Sequence, residues 1–224
     1  MKYINDLSPP VIVLAGTLNP AILNPVWVAR NIFEYEDGSV LNIHHAFYQL
    51  EDELRQLTVL DGVGWSVTTK RCEIFITSFD EDVVGRAERF ACSVVKTLPH
   101  TPWSSAGVNF QFISDDDIDE LMERYNTAEG FEDKYSVESQ SISSAIRISP
   151  LLTMNVQRNI SQKFSILFNH HHHALTPEGV DGILVGSISS SLDRCRGMMN
   201  EYFSMTDEEM QFLAPNEGEL ADVG

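Results

Sequence analysis

The sequence predicts an α+β fold: a mainly antiparallel sheet covered on one face by two long amphipathic helices. Three observations predict it. Segments of apolar and polar alternation follow one another as runs of strands rather than alternating one by one with helices. Two segments, Asp80–Leu98 and Val185–Tyr202, carry apolar residues at helical spacing. The order of elements also recurs, so the chain reads as two tandem β-α-β-β-β-α halves over residues 1–103 and 104–205, packed against each other, with an acidic tail over 206–224.

Val11 to Leu18 is a short apolar run and reads as a buried strand. Asn24 before Pro25 has the chemistry of an N-cap followed by proline at the first helical position, which starts a helix running to Phe33. Leu41, Ile43, His45 and Phe47 alternate with polar residues as a strand, and Leu57 and Val59 begin another. Asp61-Gly62 is a hairpin turn, because both residues tolerate the positive φ that a two-residue hairpin loop requires. Trp65–Thr69 and Cys72–Thr77 continue the sheet. Val83, Val84, Ala87, Phe90, Ala91, Val94, Val95 and Leu98 then form one stripe of a helix that Pro99 and Pro102 end.

The second half repeats the pattern. Ala106–Ile113 is a strand, and Ser114 followed by Asp115-Asp116-Asp117 is a helix start whose carboxylates sit at the positive end of the dipole. The glycine and closing glutamate of a calcium loop are missing at the required spacing. Ser141–Ile148, Leu151–Arg158 and Lys163–His170 read as strands. Their apolar faces carry Ile142, Ile146 and Ile148, then Leu152, Met154 and Val156, then Phe164, Ile166 and Phe168. The opposite faces are small, polar and mildly basic, and are expected to meet water or a docked partner near Arg147, Arg158 and Lys163. A cap-like Thr206–Glu209 predicts one short helix in the tail.

Charge is the strongest global signal. The formal net charge is −18, and Ser114–Glu138 together with Glu201–Gly224 carry 15 of those negative charges. Repulsion from phosphates disfavours direct nucleic-acid binding and an anionic membrane surface. The same charge favours a protein partner with a basic surface, and the partner-binding candidates are Asp115, Asp116, Asp117, Asp119, Glu120, Glu208 and Glu209. A homo-oligomer is compatible with the same pattern. No apolar run approaches a membrane span, and Cys72, Cys92 and Cys195 lack any paired spacing, which fits buried thiols in a reducing cytoplasm.

Candidate chemistry is sparse. The chain contains no phosphate-cradling G-x-x-x-x-G-K-[ST], no G-x-G-x-x-G behind a strand, no H-E-x-x-H and no G-x-S-x-G. No catalytic or cofactor-binding residue is nominated. The exception is the tract His170–His173, which continues the alternation of Phe164, Ile166 and Phe168. That period of two puts His170 and His172 on one strand face, where two imidazoles at i and i+2 could bind a metal with His44 or His45 supplying a further ligand. The reading is therefore a cytoplasmic, non-enzymatic interaction or accessory subunit acting through an acidic helix and tail. The alternatives are a histidine-based metal protein or metal-dependent enzyme, and an acidic mimic of nucleic acid that inhibits a basic groove.

Overall fold

Asp61 and Gly62 turn the chain back on itself with φ of 51° and 81°, the paired positive values that close a tight hairpin. The computed structural model that contains this turn describes residues 3–6, 9–36, 38–50, 53–114, 139–160, 164–203 and 210–212. The elements are β1 (Tyr3–Asp6), β2 (Ile12–Gly16), α1 (Pro25–Asn31), β3 (His44–Leu50), β4 (Glu53–Leu60), β5 (Val63–Val67), β6 (Arg71–Ile76) and α2 (Glu81–Thr97). They continue with β7 (Trp103–Ser114), β8 (Gln140–Ser149), β9 (Leu152–Ile160), β10 (Phe164–His172), α3 (Val180–Leu184), α4 (Ser187–Phe203) and β11 (Met210–Phe212).

The class is α+β, and the sheet is antiparallel along its main path β3-β4-β5-β6-β2-β7-β10-β9-β8. Its centre is the β2–β7 pair, with Ile12 opposite Val108 and Leu14 opposite Ala106. From β2 outward the strands run β6, β5, β4, β3; from β7 outward they run β10, β9, β8. In each direction the last strand before the long helix lies beside the central strand. β1 extends the line of β2 along β7, and β11 joins β1 in parallel, Tyr3 opposite Met210. The tail thus holds a strand at Met210–Phe212, where local pattern predicted a short helix. Pairing with a strand roughly 200 residues earlier supplies backbone partners that a helix of one or two turns could not match.

Alternation decides which side chains fill the core. Ile12, Leu14, Cys72, Ile74, Val108, Phe110, Phe112, Ile166 and Phe168 are all buried and share one face through the strand register. Phe112 and Phe168 meet edge to face with centroids 5.9 Å apart. Burying a side chain of this size contributes about 1.5–3 kcal/mol. α2 lies against β5 and β6, α4 against β7, and both helices contact α3. Asn24 caps α1 as its sequence predicts, its side-chain oxygen accepting the Trp27 N–H at 3.0 Å.

On the other face an asparagine ladder crosses three strands. Asn155 Nδ2 donates to Asn169 Oδ1 at 3.0 Å, and Asn169 Nδ2 donates to Asn109 Oδ1 at 2.6 Å. Asn109 in turn donates to the Pro10 carbonyl at 2.9 Å. Arg158 does not belong to this polar face: it stands opposite Ile166 and Ile142, on the apolar side. The unbroken period of two along β9 puts it there, so it cannot join Arg147 in one basic patch. Lys163 lies outside the described residues.

Candidate functional site

The strand alternation that runs into the histidine tract determines its fate. Phe164, Ile166 and Phe168 point into the core, and His170 follows them, 0% exposed, between Val108 on β7 and Met154 on β9. Burial lowers its pKa to about 4, and the positive charge of Arg194 on α4 pushes the same way. The Val108 backbone opposes this shift, yet no group among the described residues reaches either ring nitrogen with hydrogen-bond geometry. His170 is therefore a neutral imidazole in an apolar setting.

His172 shares that face at the sheet rim, half-buried, with its pKa lowered first by burial and then by the neighbouring His171. His171 and His173 occupy the other face, their rings edge to face at 4.7 Å. Thr153 Oγ1 lies 2.6 Å from His173 Nε2. His44 and His45 start β3, and five strands separate β3 from β10. At ordinary strand spacing that is roughly 29 Å, too far to share an ion. Among the described residues no group of three or more His, Cys, Asp or Glu converges on one point. A metal at His170 and His172 would need further ligands from elsewhere.

The three cysteines are buried and free. Burial pushes the thiols of Cys72 and Cys92 up to about 12 and that of Cys195 higher still, so none is a thiolate nucleophile near neutral pH. The acidic candidates Asp115, Asp116, Asp117, Asp119, Glu120, Glu208 and Glu209 all lie outside the described residues.

The feature that local pattern passed over is the edge of the sheet at β8. Along its whole length only Ile142 is half-buried among the side chains described. Ile146 is 36% exposed, Ile148 40%, and Leu151 in the following turn 62%. A bulge between Arg147 and Ser149 marks the end of the strand. Beside it Ile146, Ile148 and Met154 of the sheet and Met198 of α4 line an apolar cleft of about 510 Å3, with Arg194 and Glu201 at its rim. The sequence signal was present: an isoleucine-rich ten-residue strand with a single charge, Arg147, in a chain otherwise dense in acids. No family model, curated protein or solved structure matches the chain.

Proposed function

We propose that the protein is a cytoplasmic, non-enzymatic interaction or accessory subunit that accepts an extended segment of a basic partner protein along β8. The observation that carries this reading is the outer edge of β8, which pairs with no strand among the described residues. We read the two halves as a duplication, with α2 and α4 as the helical cover of one sheet face. On that reading β8 corresponds to β4, and no strand among the described residues takes beside β8 the place that β3 fills beside β4. A ten-residue edge strand with exposed isoleucines is a template for strand addition up to its bulge at Arg147–Ser149. Main-chain hydrogen bonds would supply affinity, and the cleft by Met154 and Met198 would take an alternate apolar side chain.

Charge chooses the partner. A second copy would bring another −18 to the interface, whereas a basic partner gains from the acidic stretches. The test compares capture from the native host by the wild type and by I146K/I148K, whose lysines block an edge and repel a basic strand. The expected result is one basic protein held at low salt by the wild type and lost from the variant. A wild-type dimer in sedimentation that the variant abolishes would replace the basic partner with a second copy. Equal capture by both forms would refute docking at β8.

A further inference from the structure

α2 carries a second, polar stripe beside the apolar one that enters the core. Its apolar residues enter the core, while Arg86, Arg89, Ser93 and Lys96 recur at steps of three and four along the flank. They form one wall of a cleft of about 460 Å3, ample for a small ligand. The turn after α1 brings Phe33 and Tyr35 to the opposite wall, and Phe90 completes an apolar floor with its ring 5.7 Å from that of Phe33.

Three cations, Arg86, Arg89 and Lys96, and three carboxylates, Glu34, Asp61 and Asp181, line this cleft, but they are paired only in part. Lys96 Nζ donates to Asp181 Oδ2 at 2.5 Å, and the Tyr35 hydroxyl donates to the Asp61 carboxylate. Arg86 and Arg89 pair with no carboxylate among the described residues, in a chain with 33 acids against 15 bases. Solvation explains an unmatched arginine on an open surface, but Nε of Arg86 is buried and makes no hydrogen bond. Arg86 lines the cleft together with the Tyr35–Asp61 pair, and its charge lowers the Tyr35 pKa against the larger upward effect of the Asp61 hydrogen bond.

Two left-handed turn residues shape the same place. Among the described residues the two non-glycine positions with positive φ are Glu34 at 56° and Asp61 at 51°, and both line this cleft. The hairpin explains Asp61. Glu34 closes the end of α1: its left-handed φ turns the chain so that the Tyr35 N–H reaches back to the Ala29 carbonyl at 2.9 Å, and this turn delivers Tyr35 to the cleft.

We propose that this cleft binds a small organic anion, a carboxylate or phosphate on an apolar ring-sized body, with Arg86 and Arg89 on the anion and Phe33, backed by the buried Phe90, against the body. A guanidinium fork matches both oxyanions, and the aromatic floor rewards an apolar body. The site shares no residue with β8, so it stands or falls separately from the partner-binding reading.

The test is calorimetric titration of the full chain with 2-naphthoate, 2-naphthyl phosphate and neutral 2-naphthol. At least one of the anions should saturate with a Kd below about 1 mM, and 2-naphthol should bind about ten-fold or more weakly. The stronger anion identifies the natural headgroup as carboxylate or phosphate. R86Q/R89Q should weaken the anion about ten-fold and leave 2-naphthol unchanged. If the double variant does not fold, R89Q alone, at an exposed position, should still cost roughly three-fold. Equal binding of anion and 2-naphthol, no saturation by either anion up to about 5 mM, or unchanged affinity in the arginine variants would overturn the proposal.

Discussion

The carboxylate of Glu88 on α2 accepts the backbone N–H of Ile188 at the start of α4, 2.8 Å away and 100 residues on in the chain. Its second oxygen accepts the Gly186 N–H at 2.7 Å. One buried side chain of α2 thus caps α4, where the helix dipole also favours a negative charge. E88A leaves two N–H groups without their acceptor and should cost about 2–4 kcal/mol in denaturant unfolding. E88Q keeps one acceptor and should cost about half as much. A loss under about 0.5 kcal/mol in both would show that the contact ties nothing together.

The orphaned imidazole of His170 makes stability depend on pH in a defined direction. Its folded pKa is lowered from 6.5 to about 4, so between those values the unfolded chain binds the extra proton. Its contribution is present above about pH 6.5 and is lost as pH falls toward 4, by about 3 kcal/mol in all. H170L removes a group that makes no hydrogen bond and should stay within about 1 kcal/mol of the wild type at pH 7. Urea unfolding of both proteins from pH 7 to pH 4 should converge or cross, the wild type losing more. Parallel profiles would mean that His170 is charged in the folded state.

Two glycines with positive φ separate backbone strain from crowding. A Cβ at Gly62 would meet Val83 Cγ2 at 3.0 Å and Thr77 Oγ1 at 3.1 Å. At Gly38 nothing among the described residues lies within 4 Å of such a Cβ. G38A should cost about 1–2 kcal/mol from conformation alone. G62A adds overpacking at the β4–β5 turn and should cost about 2–4 kcal/mol. Thermal unfolding decides, and equal losses would remove crowding from the account.

Local chemistry made much of the fold legible. The Asn24 cap, the Asp61-Gly62 turn and the apolar stripe of α2 each depend on residues within a few positions, and each forms where the sequence puts it. The strand faces were equally readable: His170 lies with Phe168 because a period of two leaves no other choice. What depends on distant partners was not readable. The β1–β11 pair joins the two ends of the chain, and the strand predicted from Leu41 lies instead at His44–Leu50, in register with β4. The Arg86, Arg89, Lys96 periodicity is visible in sequence, but only tertiary packing brings Phe33 and Tyr35 opposite it. That β8 has no outer neighbour among the described residues is likewise a property of sheet order, which no local pattern carries.

Amide hydrogen exchange along Gln140–Ser149, in the free chain and in the complex captured by the wild type, tests strand addition most directly. In an antiparallel edge strand every second N–H points outward, away from β9. Docking of an extended partner predicts that these alternate amides slow by roughly ten-fold or more, while the inward-pointing ones, already bonded to β9, change little. Unchanged exchange along β8, with protection confined to the acidic stretches, would contradict the account.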